Sequence, residues 1–253
     1  MAKNLSIQCS KLRISDEENE IVDLGDVISP EVDDQVSLML VGCLVTDRPF
    51  NLDAFKKTMV MAWAVSKKVV IQAVAANLFV IHFFHWRDKE KVMEGRPWCF
   101  DQHLLVLNEL SGDEQPTKIP LNLSPFWVRI YHLPFNCRSD NDVRAITVAL
   151  GLVLSIEPDA LGLNKYRRVK VLLDVNKPLR RIQKIKGKNG TTLTIEFKYE
   201  RLPYFCFKCG VMGHGEKDCP SALDDPQDGN FGWGLWLKAS PRKGRSRYLE
   251  EEA

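Results

Sequence analysis

The segment Cys206-Phe-Lys-Cys209-Gly-Val-Met-Gly-His214-Gly-Glu-Lys-Asp-Cys219 restricts the fold more than any other stretch of the chain. Two residues separate the first two cysteines, four separate Cys209 from His214, and four separate His214 from Cys219. A two-residue spacer lets one tight turn aim both sulfurs at a single point. Three thiolates and one imidazole then make a closed tetrahedral set for Zn²⁺, and a closed set marks the ion as structural. Gly210 and Gly213 remove side chains that would crowd so small a loop, and both are free to take positive φ. A module this short has almost no core. One zinc ion is therefore expected to supply its folding energy, and the segment is expected to be unordered without it.

Around this module the composition is that of an ordinary globular chain, with 45% hydrophobic and 27% charged residues over 253 positions. No apolar run reaches the length of a membrane span, and the N-terminus lacks the apolar centre of a secretory signal. Of the seven cysteines, four are scattered (9, 43, 99 and 137) and three belong to the cluster. That distribution fits a reducing compartment, hence an intracellular, non-secreted protein, with Pro241-Arg-Lys-Gly-Arg-Ser-Arg247 as a nuclear-import candidate.

Periodicity divides the rest. Residues 1–34 are acid-rich and read as a solvated, largely disordered lead-in with room for a short helix. VSLMLVGCLV (36–45) has strand length. Asn51 can cap a helix whose face carries Leu52, Phe55, Met59, Val60 and Trp63. Two strand-like runs, KVVIQAVA and NLFVIHFF, meet near residues 75–77, WRDKEKVMEG reads as a second helix, and HLLVLNEL (103–110) as a closing strand. An α+β fold follows, with a ferredoxin-like βαββαβ order over 35–110 that RNA-recognition motifs also use. Residues 111–125 read as a linker with three prolines. A second α+β unit of similar order is expected over 126–202. It has a strand at FWVRIY, a helix capped by Ser139 or Asp140 and ended by Gly151, and strands at LVLSIEPD, RRVKVLLDV and TLTIEFKYE. KPLRRIQKIKGKNG (177–190) occupies the place of its second helix. The metal module takes 203–221, and a flexible tail takes 222–253.

The pattern C-x₂-C-G-x₂-G-H-x₄-C, with an aromatic after the first cysteine, resembles the CCHC zinc knuckles of retroviral and retrotransposon nucleocapsid proteins. EGRPWCFDQHLLVL (94–107), FWVRIYHLPF (126–135), YERLPYFCFKCGVMGHGEKDC (199–219) and FGWGLWLKAS (231–240) widen the likeness. Together they are similar to plant proteins encoded by, or derived from, LINE-type retrotransposons, in which a domain of unknown function precedes such a knuckle. The resemblance implies binding of single-stranded RNA or DNA and descent from a nucleic-acid-packaging protein. It implies Cys206, Cys209, His214 and Cys219 as metal ligands and Phe207 as a stacking aromatic. Two features depart from it: Lys208 and Lys217 are offset by Glu216 and Asp218, and Gly215 follows the histidine. Nothing like a reverse transcriptase or nuclease follows, so a whole element polyprotein is not expected.

Charge supports the same reading. Net charge is only +2, yet residues 161–201 hold twelve basic and three acidic side chains, a local +9. The tail adds Arg242, Lys243, Arg245 and Arg247. Phosphate attraction supplies most sequence-independent affinity, and aromatic stacking adds to it. The candidate contacts are Tyr204, Phe207, Lys208, Lys217, Arg167, Arg168, Arg180, Arg181, Lys184, Lys186 and Lys188, with Trp233 or Trp236 as further platforms or as cover for an apolar patch. In the first unit both faces of the Asn77–Phe84 strand are apolar, which favours a structural or self-association role over base stacking. No nucleophile–base pair, P-loop or dinucleotide fingerprint is present, so no enzyme is expected. The competing reading is a protein–protein adaptor built on the knuckle and the first unit.

Overall fold

The computed structural model describes residues 15–22, 30–159, 161–220 and 232–241. Backbone clustering separates Met1–Asp34 from Gln35–Ala253. In the acidic lead-in, residues 16–19 form a turn in which the Asn19 amide donates to the Ser15 carbonyl. A helix, α1 (Pro30–Ser37), begins within the lead-in and takes the first two residues of the expected strand at 36–45. The disorder expected for residues 1–14 and 23–29 lies outside the described residues.

The next elements are β1 (Met39–Leu44), α2 (Leu52–Trp63), β2 (Val69–Ala75), β3 (Leu78–Phe83), α3 (Trp86–Glu94), β4 (Trp98–Phe100) and β5 (His103–Glu109). They form an antiparallel sheet of order β2-β3-β1-β5-β4. Without β4 this is the ferredoxin-like order. Asn51 caps α2 through its side chain, which accepts from the Ala54 amide at 3.0 Å. Phe55, Met59 and Trp63, four apart, bury one stripe of α2 against Leu40, Leu44, Phe79, Ile81, Phe83 and Leu107. The buried carboxylate of Asp88 on α3 accepts from the Ser66 and Lys67 amides and the Ser66 hydroxyl at 3.0–3.1 Å, tying α3 to the turn after α2. These hydrogen bonds, led by that from Ser66, hold its pKa below the usual carboxylate range. β4 carried no sequence signal, because its hairpin turns on Asp101 and Gln102, both at positive φ without a glycine.

The other face of this sheet is not free where Val41 and Leu78 meet Ile119 and Leu121 of the connecting segment. That segment is shorter than the expected 111–125, since β6 (Leu123–Tyr131) starts inside it. Then come α4 (Asp140–Thr147), β7 (Gly151–Ile156), β8 (Arg167–Asp174), β9 (Ile182–Lys186) and β10 (Thr192–Tyr199), in a second antiparallel sheet of order β7-β8-β6-β10-β9. Ser139, not Asp140, is the cap of α4, in a reciprocal capping box with Asp142. Gly151 does not end that helix. It opens β7 at φ +150, where a Cβ would lie 2.1 Å from the Leu172 carbonyl oxygen.

The helix expected at 177–190 is absent. Ile182–Lys186 is a strand hairpinned to β10, because only eight residues stand between Pro178 and the Gly187–Gly190 turn and the last five of them alternate in period two. Gln183 and Ile185 point to one side, and Ile182, Lys184 and Lys186 to the other. The sheet therefore lacks a second covering helix. Phe205 and Met212 from the metal module and Leu237 from the tail fill that role, packed with Val128, Ile130, Ile195, Phe197 and Tyr199. Among the described residues, no helix is long and apolar enough to cross a membrane.

Candidate metal centre

Cys206, Cys209, His214 and Cys219 come together, with their ligand atoms all within 4.8 Å of one another and Cys209 Sγ 3.3 Å from His214 Nε2. Tetrahedral zinc, with bonds of about 2.3 Å to sulfur and about 2.0 Å to nitrogen, sets its donors roughly 3.6–3.8 Å apart. The four side chains fit that ion after shifts of about an ångström. Cys206 is fully buried, and the Cys209 side chain is nearly so. Burial, and after it the neighbouring thiols, push Cys209 up to about 12. Burial raises Cys206 as well, against the amides of Cys209 and Lys208, which favour its thiolate. Three thiols so close resist ionising together, and a divalent cation removes that resistance by deprotonating them outright.

Local sequence builds the loop. The Gly210 amide donates to the Cys206 carbonyl at 2.8 Å and the Cys206 amide to the Val211 carbonyl at 2.9 Å. Gly210 sits at φ +75 and Gly213 at φ +99. The Phe207 amide donates to Glu216 Oε1 at 2.9 Å, so the acid that offsets Lys217 in the sequence also staples the loop.

The module is docked rather than tethered. A Cβ on Gly213 would stand 2.7 Å from Val45 Cγ1, and one on Gly210 2.4 Å from the Trp233 ring. Trp233 is the cover of an apolar patch. It lies against Gly210, its Nε1 donates to the Leu179 carbonyl at 2.7 Å, and the Arg181 guanidinium stacks on it at 4.5 Å. The expected flexible tail is thus ordered over 232–241, where the Ala239 amide donates to the Tyr199 carbonyl at 2.8 Å. The basic residues Arg242, Lys243, Arg245 and Arg247 lie outside the described residues, as does most of the nuclear-import candidate.

The remaining candidate contacts separate by their partners. Tyr204 is half-buried as a joint: its amide donates to the Gln102 carbonyl at 2.7 Å, and its hydroxyl crowds Gly215. Burial and the nearby Glu216 raise its pKa. Phe207 and Lys208 are half-buried, and Phe207 meets Phe205 edge-on at 5.2 Å. Lys217 is exposed. Arg167 and Arg168 do not face solvent as free cations. Arg167 is 3% exposed and binds Asp140 at 2.5 Å and the Glu157 carbonyl at 3.2 Å. Arg168 makes two bonds to Glu200, at 3.0 and 2.7 Å, and lies 3.7 Å over the Trp127 ring. Arg167 lies on the buried side of β8 and Arg168 on its outer side, each held by acidic partners. Arg181 is engaged by Trp233 and the Gly232 carbonyl. Lys188 pairs with Asp142 at 3.5 Å, and exposed Arg180 reaches the Gln183 side chain. Lys184 and Lys186 stand exposed on β9.

Sequence reading passed over the face these lysines share. The registers β6–β8, β6–β10 and β9–β10 place Arg129, Tyr131, Arg168, Thr194, Glu196, Lys198, Ile182, Lys184 and Lys186 on one side of the second sheet, away from the core. Tyr131 and Tyr166 meet at 5.2 Å, with Lys198 5.3 Å from the first ring and Arg129 4.6 Å from the second. The alternation in Phe126-Trp127-Val128-Arg129-Ile130-Tyr131 was the available signal: the even positions are apolar, the odd ones aromatic or cationic.

The chain matches no curated protein. Among solved structures it is similar to the crystal structure of the first two RRM domains of yeast poly(U)-binding protein, with 12% identity over 64% of this chain and 98% of that one. The TM-score is 0.24, a likeness too low to carry any inference about this protein. Two family models match parts of the chain: "Domain of unknown function (DUF4283)" over residues 32–118, and "Zinc knuckle" over residues 173–221, which takes in β9 and β10 as well as the four ligands. The chain therefore carries a DUF4283 domain followed by a CCHC-type zinc knuckle.

Proposed function

We propose that the protein is a non-catalytic binder of single-stranded nucleic acid, RNA in preference to DNA, whose knuckle holds one structural zinc ion through Cys206, Cys209, His214 and Cys219. The observation that carries this reading is the convergence of those four donors within 4.8 Å inside the segment matched as a zinc knuckle. When bound, zinc supplies no open coordination position and acts as a cross-link. The chain's own residues would meet the strand through exposed cations next to the knuckle hairpin and through aromatic side chains, a combination that tolerates any base. Descent from a retrotransposon packaging protein belongs to the same proposal and rests on the order of segments in the sequence.

A shift assay with single-stranded and duplex RNA and DNA, with and without chelator, tests it. Single strands should bind more tightly than duplex, RNA more tightly than DNA, and affinity should fall as salt rises along a log–log line. Chelation should abolish or sharply weaken binding. Equal binding to every probe in both conditions would refute it. A protein-adaptor role has one observation in its favour: Tyr204 and Phe207, aromatics beside the zinc site, are already half-used in internal packing. Salt-insensitive capture of a protein, with no shift of any oligonucleotide, would select that reading.

A further inference from the structure

We propose that the outer face of the second sheet, on the side opposite the knuckle, is a base-stacking platform for single-stranded nucleic acid, with Tyr131 and Tyr166 as the stacking rings and Lys184, Lys186 and Lys198 as the phosphate contacts. The site rests on the nucleic-acid reading above but is separate from the zinc centre. Phe197 and Ile195 of β10 point inward to the core that holds Phe205 and Met212, whereas Glu196 and Lys198 point outward. A strand lying on this face would not touch the four metal ligands.

Three observations converge. The two tyrosines form an adjacent, half-exposed pair, 5.2 Å between centroids and tilted by 48°, at the end of β6 and the entry to β8. Tyr131 is the last residue of β6 and Tyr166 immediately precedes β8, each with a cation against its ring, and a base, which always has a π-face, can stack on the part of the pair left open. Second, the neighbouring guanidiniums are fixed and neutralised: Glu200 binds Arg129 at 2.6 Å and Arg168 at 2.7 Å, and Glu157 binds Arg168 at 3.3 Å. They stiffen the floor under the rings instead of competing for solvent. Third, the rim of this floor is cationic. Lys184, Lys186 and Lys198 share the face with Glu196, which lies 3.7 Å from His132 Nε2, while Glu200 and Glu157 are taken up by Arg129 and Arg168. Ile182, 46% exposed, extends the apolar ground between tyrosine and lysines. On the first sheet Ile119 and Leu121 cover part of the corresponding face, over Val41 and Leu78.

The test uses the full, zinc-loaded chain with fluorescein-labelled 20-mers of oligo(U) and oligo(dT). Combining Tyr131→Ala with Tyr166→Ala should weaken binding about tenfold or more while zinc content stays at one per chain. Replacing both by Phe should leave affinity within about twofold. Lys184→Gln, Lys186→Gln and Lys198→Gln together should lower the salt slope by about 2, since each phosphate contact on a single strand contributes about 0.7. Lys184 and Lys186 are exposed and Lys198 is half-exposed, so this variant reads the proposal even if the double alanine fails to fold. Unchanged affinity in the tyrosine variant and an unchanged slope in the lysine variant, with binding lost on Cys206→Ser, would overturn the platform and leave the knuckle reading standing. If the unaltered chain shifts neither oligonucleotide, both proposals fall.

Discussion

Glu200 shows how one residue can decide what its neighbours are for. Its carboxylate receives Arg129 and both ends of Arg168, and these bonds outweigh burial to hold its pKa below the usual carboxylate range. A lowered folded-state value contributes stability above the ordinary glutamate value of about 4.3, and that contribution is lost as pH falls through the folded value. Glu200→Gln should cost about 2–3 kcal/mol at pH 7, because nearly buried Arg129 loses its counter-charge and Arg168 keeps only Glu157. The difference from the unaltered chain should shrink below about pH 4. Urea melts at pH 7 and pH 3 measure both. At Gly210 the constraint is steric and conformational at once, with φ +75 and Trp233 2.4 Å from a would-be Cβ. Gly210→Ala should weaken zinc retention in competition with a chromogenic chelator by at least about fivefold, since strain of about 1 kcal/mol or more falls on the liganded loop.

At the scale of elements, the tail and β9 replace a helix. Trp233 both covers the knuckle and donates to Leu179, so Trp233→Ala removes apolar cover worth about 2 kcal/mol and one hydrogen bond worth about 1 kcal/mol. Amide exchange in residues 205–212 should quicken, while α2 and β3 exchange as before. Exchange unchanged at 205–212 would show that the tail only rests on the surface. In the first sheet, Asp88 performs a comparable joining task between α3 and the turn at Ser66–Lys67. Asp88→Asn keeps the shape but gives up charge-assisted bonds, and should lower stability by about 1.5–3 kcal/mol in thermal melts at neutral pH.

For the whole molecule, the zinc module is part of a shared core and not a separate bead. Phe205 and Met212 are buried among β6, β8 and β10 side chains, and Leu104 and Val106 of β5 reach the same cluster. Chelation should therefore do more than loosen residues 203–220. The second sheet should lose exchange protection on its knuckle-facing strands, and the melting temperature should fall by several degrees, while near-ultraviolet signals from Trp63 in the first core persist. Loss confined to 203–220 would mean that sheet and knuckle fold independently.

Local sequence was enough for whatever depends on spacing. The spacing of the Cys206–Cys219 donors and the Asn51 cap with its Phe55-Met59-Trp63 stripe are set by neighbours a few residues apart, through turn length and side-chain period. What depends on contacts distant in sequence was hidden. Arg167 and Arg168 read as free cations until Asp140 and Glu200 were brought beside them. The 177–190 segment read as a helix until β10 supplied hydrogen-bond partners for a strand. Trp233 could be platform or cover until Gly210 lay against it. Tyr131 and Tyr166 became a pair only when β6 and β8 aligned. Spacing is a property of the chain and survives in any conformation, whereas charge compensation and burial exist only once distant segments share a surface.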